Sequence, residues 1–592
     1  MGNEMRFKRT HYCGQVNVEN ANQEIVVSGW VDNWRDHGGL FFIDLRDRTG
    51  KVQLVFYPDN EASYQISKKL RTEFVISAKG LVEKRPDEAI NPELSTGAIE
   101  VHVTDVEILN PSKTTPFEIK DYVEVSEDLR LKYRYLDLRR KKLQDLLIMR
   151  HNIAQATRKF FANEGFIEVE TPILTKSTPE GARDFLVPSR FQGGKFYALP
   201  QSPQTYKQIL MISGLDRYFQ IVKCFRDEDL RKDRQPEFTQ VDIEMSFVDE
   251  EDVMGMMEKY MKFLFRETLN LDISIPFQRL TYQESMERFG SDKPDTRFGL
   301  ELNKITEIFE ESEFNVFQSV AAQNGYIGAL IIEESMANLS RKQIDDLIKW
   351  TRSIGASGLA YARFTGGAFE GGISKFLSEV EQKQMINKLK LKEDTLLLVV
   401  ADKRTEFAQT ILGFLRNKLA EDLKLINKDA HNLHWTVDFP MLEYNDEESR
   451  YVARHHPFTA PKPEDAHLLE TAPEKARARA YDLIYNGNEI SGGSIRIHTR
   501  ELQEQVFSAL NLTPEEAELK FGFLLEALSF GAPPHGGIAF GFDRMVMLFG
   551  KAQSIRDVIA FPKTASAVGL MEQTPSEVAA EQLKELHINT IK

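Results

Sequence analysis

The feature that most constrains the fold is a pair of neighbouring segments in which residues alternate in character. Tyr218–Phe225 alternates as a β-strand does, and Glu237–Phe247 does so with a strict period of two. Gln240, Asp242 and Glu244 fall on one face of the second segment, and apolar residues and a threonine fall on the other. The pattern predicts a long antiparallel hairpin with a row of hydrogen-bond acceptors on one face. A sheet with one solvated face is the alternative.

The loop that joins these segments, Arg226–Pro236, carries many charges of both signs, with Arg226 at its mouth. Guanidinium groups bind phosphate oxygens in a bidentate manner, and carboxylates bind the accompanying metal ions. The loop is therefore suited to meet a nucleoside triphosphate.

Two glycine-rich stretches are further candidates for the site. In Gly531–Arg544 the glycines allow the backbone to approach a flat ligand, and Arg544 is predicted at the start of a helix, where phosphate is attracted. A plain turn before a helix is the alternative. Tyr485–Arg496 is predicted to be a strand interrupted by two adjacent glycines. A bulge at this point would direct Glu489 and Arg496 to one site despite their opposite parity.

The N-terminal region predicts a small β-barrel. Five short strands with one helical piece near Glu61–Leu70 suit a Greek-key barrel such as the OB-fold. A generic small barrel or sandwich also fits the pattern. The expected strands are Ile25–Val31, Leu40–Leu45, Lys51–Tyr57, Glu73–Val82 and Ile99–Ile108.

Charge is unevenly distributed along the 592 residues. With 75 Lys+Arg against 90 Asp+Glu the formal net charge is −15, which argues against a simple basic clamp for nucleic acid. The stretch Arg130–Lys159 nevertheless holds ten Lys or Arg and two Asp, a local balance of +8. Only Cys13 and Cys224 are cysteines, and the sequence shows neither a secretory signal nor an apolar stretch near the ~20 residues that span a bilayer. We expect a soluble, cytoplasmic protein.

Three stretches of the sequence, taken in their order along the chain, resemble the signature motifs of the class II aminoacyl-tRNA synthetases. The barrel narrows the resemblance to the subclass of aspartyl, asparaginyl and lysyl enzymes, and three further stretches narrow it to bacterial aspartyl enzymes. The three motifs correspond to Val169–Pro172, to Phe225–Glu228 with Phe238–Glu244, and to Gly536–Arg544. The further stretches are Ser177–Phe185, Gln201–Gln208 and His455–Thr459.

The resemblance implies a multidomain fold. It comprises an all-β OB-fold barrel that binds the anticodon, an α+β catalytic domain built on an antiparallel sheet, and an inserted α+β domain similar to the GAD domain of bacterial members. The expected ranges are 1–112 for the barrel, 113–140 for a hinge, 141–293 and 429–562 for the two parts of the catalytic domain, 294–428 for the inserted domain, and 563–592 for a C-terminal extension.

The resemblance also implies the reaction. Aspartate would be activated by ATP to aspartyl-adenylate, and the aspartyl group would pass to the 3′ end of tRNA(Asp). An asparaginyl enzyme and a non-catalytic RNA-binding relative are the alternatives. A relative without catalysis would be expected to lack Arg226, Glu489 or Arg544, and this sequence has all three.

Family roles at the nucleotide are implied residue by residue. Arg226 would bind the α-phosphate and Arg544 the γ-phosphate, and both would be catalytic together with Glu489. Asp482 and Glu489 would hold Mg²⁺. The full set expected at ATP is Arg226, Asp227, Glu228, Gln235, Glu489, Gly541, Phe542, Asp543 and Arg544.

For aspartate, the resemblance implies that Arg496 and Lys207 receive the side-chain carboxylate. Asparagine would be rejected because its amide cannot neutralise a buried pair of cations, and lysine would be repelled. Asp242 would orient one of these cations, and His455 would close over the substrate. The residues expected at the ammonium are Glu180, Ser202 and Gln204, and Arg226 also borders aspartate.

On the barrel, Trp34, Arg35, Phe42 and Gln53 fall where this family binds the anticodon, and Phe42 is the better candidate for base stacking. A place in the barrel core is the alternative for Phe42. Members that charge both tRNA(Asp) and tRNA(Asn) often carry histidine at the position of His37, whereas strict members usually carry leucine. Charging of tRNA(Asn) is therefore a hypothesis. Motif 1 forms the dimer interface in this class, so a homodimer is expected.

Overall fold

A computed structural model describes residues 5–178, 182–229, 234–333, 336, 338–445 and 449–591. The chain divides into two units, one of Met1–His151 with Ala552–Glu577 and one of Asn152–Lys551 with Val578–Lys592. Within these described ranges, no helix is both long enough and apolar enough to cross a membrane.

The first unit contains a closed barrel of five strands, which confirms the small barrel predicted from the sequence. Its strand order is β1-β2-β3-β5-β4, and α1 lies between β3 and β4. β1 extends beyond the predicted strand because it pairs with β2 up to the tight turn at Gly38 and Gly39, whose φ angles of 62° and 91° favour glycine. The elements are β1 Glu24–His37, β2 Leu40–Asp47, β3 Gly50–Phe56, α1 Glu61–Ser67, β4 Val75–Lys84 and β5 Ile99–Asn110.

The segment that follows supplies two central strands of a large sheet. The predicted hairpin forms as antiparallel β9 and β10, with Asp242 opposite Gln220 and Glu244 opposite Tyr218. The elements are α2 Glu127–Lys132, α3 Arg134–Asp137, α4 Lys141–Asn163, β6 Ile167–Glu168, β7 Leu186–Pro188, β8 Phe196–Ala198, α5 Gln204–Ile212, β9 Arg217–Phe225, β10 Glu237–Ser246, α6 Glu250–Leu264, β11 Gln278–Thr281 and α7 Tyr282–Phe289.

The next segment, residues 303–422, builds an antiparallel sheet of its own, in the order β12-β13-β16-β14-β15. We call it the inserted segment, because it separates β6 and β9–β11 from the other strands of the large sheet along the chain. Its central strands are apolar on both faces, and each face packs on a separate hydrophobic cluster. The elements are β12 Asn303–Lys304, α8 Asn315–Ala322, β13 Tyr326–Glu333, α9 Arg341–Ser353, β14 Ala360–Thr365, β15 Ala368–Glu370, α10 Glu379–Leu389, β16 Thr395–Asp402 and α11 Thr405–Asp422.

The last segment completes the large sheet, whose order is β11-β17-β20-β21-β22-β10-β9-β6. Only its outer pairs, β11 with β17 and β6 with β9, are parallel, so the predicted antiparallel α+β architecture is confirmed. The elements are β17 Leu433–Val437, β18 Leu442–Asn445, β19 Arg450–Ala453, α12 Leu468–Thr471, β20 Ala480–Tyr485, β21 Asn488–Ile495, α13 Arg500–Ala509, α14 Pro514–Leu528, β22 His535–Gly541, α15 Phe542–Phe549 and α16 Ala580–Glu585.

One local prediction is wrong. The two adjacent glycines do not interrupt β21, because both keep regular register with β20 and β22. The bulge lies at Ile490 instead, since Ser491 pairs with Leu483 and Glu489 pairs with Ile484. Glycine is needed at Gly493 for a different reason: a Cβ atom there would lie 2.4 Å from the carbonyl oxygen of Gly537.

Candidate active site

Four charged side chains meet over the centre of the large sheet. Lys207 Nζ lies 2.9 Å from Asp242 Oδ1 and 3.4 Å from Glu244 Oε2. Arg496 Nε and Nη2 donate to the two oxygens of Glu244 at 2.9 and 3.2 Å. Each of the four residues is at most 2% exposed. We call these residues the charge cluster. Its two cations and two carboxylates offset the cost of removing charge from water.

The local sequence explains how this cluster is accommodated. Asp242 and Glu244 are two positions apart on β10, so their side chains share a face of the sheet. The neighbouring strand β22 places Gly537 opposite Glu244. A Cβ atom at Gly537 would lie 2.0 Å from Glu244 Oε2, so the carboxylate occupies the space that a side chain would fill. The glycine-rich motif therefore makes room for a buried acid.

The two acids of the cluster respond differently to burial. Burial opposes ionisation of Glu244, but Arg496 and Lys207 together hold its pKa below the usual value. Burial raises the pKa of Asp242, and its contact with Lys207 only partly compensates. Glu244 is thus the more firmly ionised partner of the two cations.

The structure defines the partners of Glu244, which the sequence offers as an active-site candidate beside Asp242, and it adds His456, which was not among the predicted site residues. Glu244 is the only carboxylate here that contacts both Lys207 and Arg496 among the described side chains. Its alternation with Asp242 in the sequence was the signal for this position. His456 Nε2 lies 2.7 Å from Arg496 Nη1, and burial together with the positive charge of Arg496 lowers the pKa of His456, so the neutral ring accepts this hydrogen bond.

The predicted histidine, His455, lies against a different part of the site. Its ring packs edge-on to Phe439, and its Nε2 is 3.5 Å from Asp482 Oδ1. Within the described residues, that Asp482 oxygen is buried and accepts no hydrogen bond. The two neighbouring histidines therefore face two different subsites. His456 faces the charge cluster, and His455 faces the acids on β20 and β21.

Asp482 and Glu489 form this second, acidic subsite. A Cβ atom at Gly492 would lie 2.8 Å from Asp482 Oδ1 and 4.0 Å from Glu489 Oε1, so the two carboxyl groups border the same space. Burial and the nearby charge of Asp482 raise the pKa of Glu489. Arg544 Nη1 donates to the main-chain oxygen of Glu489 at 2.7 Å. Among the described residues, no group of three or more side chains is arranged to hold a metal ion. Two carboxylates nonetheless fit Mg²⁺, which usually keeps water and phosphate oxygens as its remaining ligands.

The residues expected at the nucleotide lie along the charged loop. The guanidinium group of Arg226 lies 5.0 Å from the ring centre of Phe238, and Arg234 Nη1 donates to Glu228 at 2.9 Å. Asp227 forms a backbone bridge with Arg183. Gln235 is buried and donates to the carbonyl oxygen of Arg234. Residues 230–233 of the loop lie outside the described part of the chain.

The other end of the predicted nucleotide site is the junction of β22 and α15. Gly541 pairs with Gln240, and Phe542 is buried. The buried carboxylate of Asp543 accepts a hydrogen bond from the main-chain N–H of Thr239 at 2.7 Å. Asp543 thereby fixes the start of α15, and so Arg544, to β10.

The structure describes two of the three residues that are expected at the ammonium group of aspartate. Gln204 begins α5, and within the described residues its buried Nε2 has no hydrogen-bond partner. Ser202 lines a cleft of about 440 Å³ together with Asp184 and Gln201. Glu180 lies outside the described residues.

Four of the predicted anticodon residues, Arg35, His37, Phe42 and Gln53, lie on the outer face of the barrel, whereas Trp34 packs against the barrel core. Arg35 pairs with Phe42 across β1 and β2, and His37 packs edge-on against Phe42 with ring centres 5.7 Å apart. Phe41, not Phe42, belongs to the barrel core, so the half-buried ring of Phe42 is on the outer face. Arg35 also donates to Asp44, and Gln53 accepts from Arg85.

Two family models match the chain. Residues 126–565 match the class II tRNA synthetases (D, K and N), and residues 25–109 match an OB-fold nucleic acid binding domain. A relative named aspartate–tRNA(Asp/Asn) ligase, from Caldanaerobacter subterraneus subsp. tengcongensis, is 54% identical over 98% of each chain. An aspartate–tRNA ligase from Staphylococcus epidermidis is 51% identical over 98% of this chain and 99% of its own.

Solved structures support the fold alone, because their sequence identities are low. Asparaginyl-tRNA synthetase from Pyrococcus horikoshii, complexed with asparaginyl-adenylate, has a TM-score of 0.59 at 19% identity and covers 94% of this chain and 98% of its own. Aspartyl-tRNA synthetase from Entamoeba histolytica has a TM-score of 0.57 at 19% identity and covers 94% and 91%. The OB-fold barrel and the synthetase catalytic fold predicted from the sequence are confirmed.

The buried charges predict a pH-dependent effect of Glu244→Gln. Removing this carboxylate leaves Arg496 and Lys207 without their shared partner, so the variant should lose about 3–5 kcal/mol of stability at pH 7. The folded pKa of Glu244 lies below its unfolded value of about 4.3, so the stabilisation is fully present above that pH and is lost as the pH falls through the folded pKa.

Urea unfolding of both proteins from pH 7 to pH 3.5 measures this difference. The difference in free energy of unfolding between wild type and Glu244→Gln should be constant down to about pH 4.3 and should become smaller below that pH. Glu504→Gln, which removes an exposed partner of Arg500, is the control and should leave stability almost unchanged. A difference between wild type and Glu244→Gln that stays constant to the lowest pH would contradict the assignment.

Proposed function

This chain belongs to the class II tRNA synthetases of the D, K and N group, and we propose that it activates L-aspartate with ATP and transfers the aspartyl group to tRNA. Family members use ATP as a substrate. The observation that carries the choice of aspartate is the buried charge cluster, which presents two cations to an incoming carboxylate. The full-length relatives named as aspartate–tRNA ligases support the same choice.

Selection of aspartate follows from the chemistry of Arg496 and Lys207. In the proposed complex the β-carboxylate of aspartate binds between these two groups, while Glu244 and Asp242 keep them in place. Asparagine offers a neutral amide, which forms weaker hydrogen bonds with these two cations than the charge-assisted ones of a carboxylate, so aspartate is preferred. Lysine brings a third cation and is repelled. Gln204, Ser202 and Glu180 are proposed to receive the ammonium group.

The first chemical step forms a mixed anhydride. An oxygen of the α-carboxylate attacks the α-phosphorus of ATP, the bond from that phosphorus to the bridging oxygen breaks, and pyrophosphate leaves. The attacking carboxylate is already ionised at neutral pH, so no general base is required. Catalysis then consists of positioning and charge stabilisation, for which we propose Arg226 at the α-phosphate and Arg544 at the γ-phosphate.

Other groups on this chain hold the nucleotide in the proposed complex. Asp482 and Glu489 would bind Mg²⁺, which when bound neutralises charge on the phosphate oxygens. Asp543 holds the start of α15 to β10 and so orients Arg544. The remaining residues proposed to surround ATP are Asp227, Glu228, Gln235, Gly541 and Phe542.

In the second step, a hydroxyl of the terminal adenosine of tRNA attacks the aspartyl carbonyl carbon and AMP leaves. We propose that the anticodon binds the outer face of the barrel. Phe42 offers a ring for stacking, while Arg35 and Gln53 offer groups that can hydrogen-bond to base edges. His37 borders Phe42 and so lies where it can affect the choice of anticodon base.

Two further proposals concern assembly and location. Ile167, Ile173 and Leu174, in or beside the motif 1 stretch, are each about half exposed, and adjacent exposed aliphatic groups are typical of an interface. They support a homodimer formed through motif 1. Both cysteines are buried free thiols, in keeping with the cytoplasmic location that we propose.

Aspartate-dependent exchange of pyrophosphate into ATP tests the proposed activation step. The purified chain should catalyse exchange with aspartate and be at least about 100-fold less efficient with asparagine, because a neutral amide lacks the charge-assisted hydrogen bonds that a carboxylate forms with Arg496 and Lys207. Exchange with lysine should be undetectable. No exchange with aspartate, or preferred exchange with asparagine, would overturn the proposal.

Charging of tRNA transcripts tests the choice of tRNA. We propose that transcripts with GUC and GUU anticodons, those of tRNA(Asp) and tRNA(Asn), are both aspartylated. His37→Leu should lower the GUU-to-GUC ratio of kcat/KM at least about tenfold, the size expected for one lost base contact. His11→Leu, away from the predicted anticodon face, is the control. A wild-type enzyme that does not charge the GUU transcript would refute dual specificity.

A further inference from the structure

A cation outside the three signature motifs lies beside the acidic subsite. Lys293 Nζ is 3.6 Å from Glu489 Oε2 and 3.9 Å from Asp292 Oδ1. Neither distance is a hydrogen bond, and the Lys293 side chain is 48% exposed. The ammonium group is therefore close to Glu489 but still free to meet a ligand that approaches from solvent.

The backbone on both sides of Lys293 is fixed to the large sheet. Before it, the carbonyl oxygen of Asp292 accepts a hydrogen bond from Thr436 Oγ1 on β17 at 2.7 Å. After it, Thr296 Oγ1 donates to Asn432 Oδ1 at 2.6 Å. A flexible side chain thus projects from a loop whose ends are held, which distinguishes Lys293 from an ordinary surface lysine.

The same loop is braced from two other directions. Arg416, on α11 of the inserted segment, is 1% exposed and donates to the carbonyl oxygens of Asp295, Phe298, Gly299 and Leu300 at 2.9–3.1 Å. On the opposite side, a Cβ atom at Gly487 would lie 2.8 Å from Asp295 Cβ, so the loop packs directly on the turn that leads to Glu489. The inserted segment therefore helps to position Lys293.

Two cations now flank Glu489, because Arg544 binds its main-chain oxygen while Lys293 approaches its carboxylate. A triphosphate carries more negative charge than Arg226 and Arg544 balance. We propose that Lys293 is a further catalytic residue that contacts the β- and γ-phosphates of ATP, as lysine does at other phosphate sites as a mobile point charge. This inference rests on the proposed function, since it concerns ATP in the same site.

Lys293→Met removes the charge and keeps most of the length of the side chain. Calorimetric titration with the non-hydrolysable analogue β,γ-methylene-ATP should show binding at least about tenfold weaker than in wild type, whereas AMP should bind equally to both proteins. In exchange assays the KM for ATP should rise and the KM for aspartate should not change. Lys293→Arg, which restores the charge, should recover most of the affinity for the analogue.

Lys262→Met is the matched control. Lys262 is exposed to a similar degree and lies 3.3 Å from Asp272, so its loss reproduces the loss of a surface ion pair without the phosphates. Equal binding of the analogue by Lys293→Met and wild type would overturn the inference. Equal weakening for AMP and for the analogue would also overturn it, because the effect would then not arise at the β- and γ-phosphates.

The titrations separate this inference from the proposed function. If the wild-type chain binds the ATP analogue but supports no aspartate-dependent exchange, the proposed activity fails while the comparison of Lys293→Met with wild type still tests the phosphate contact. If exchange is normal in Lys293→Met and its affinity for the analogue is unchanged, only the inference on Lys293 fails.

Discussion

The contact between Glu244 and Arg496 is the interaction on which the site depends. Both groups are buried, and each would be costly without the other. Hydrophobic residues of similar volume could fill such a place at least as stably, so stability alone does not account for buried charge at the centre of the sheet. The role in binding that we propose does account for it: a carboxylate substrate needs cations that are already desolvated and oriented, and Glu244 and Asp242 keep Arg496 and Lys207 in that state.

The sheet is arranged around this requirement. β10 carries the two acids, β21 leads into Arg496, and β22 lies between them with Gly537 where a side chain would clash with Glu244. β10 and the last two strands are far apart in sequence because the inserted segment separates them. The insertion does not disturb their pairing, since it leaves after α7 and returns at β17, towards the edge of the sheet.

The inserted segment is also connected to the site. Arg416 holds the loop after Asp295, and Glu406 at the start of the same helix contacts Tyr282 and Arg454, the residue directly before His455. Helix α11 thus contacts two segments that adjoin candidate site residues, namely the loop that follows Lys293 and the segment that precedes His455. The insertion therefore helps to hold the segments that carry Lys293 and His455 in place.

Features of the fold that depend on neighbouring residues in the sequence were predicted correctly. The alternation in β10 placed Asp242 and Glu244 on one face, and the turn residues predicted the last four barrel strands to within two residues at each end. Two features were not predicted correctly, because one depends on the exact pairing within a hairpin and the other on distant parts of the chain. The bulge lies at Ile490 because Ser491 and Glu489 pair with consecutive residues of β20. Lys293 belongs to no motif, and contacts of its loop with β17, Arg416 and the turn at Gly487 place it beside Glu489.

The adjacent histidines show that sequence patterns also fail to choose between two neighbouring positions. His455 and His456 differ by one position, and their side chains face different subsites. No periodicity could decide between them, because they lie outside regular strands, where the backbone direction is set by contacts with Phe439 and Arg496.

A crystal structure of the chain with a non-hydrolysable aspartyl-adenylate analogue tests the central claim most directly. We expect the β-carboxylate of the analogue within hydrogen-bond distance of both Arg496 and Lys207, with Glu244 still paired to Arg496. A β-carboxylate bound elsewhere, with the charge cluster closed and untouched, would contradict the account.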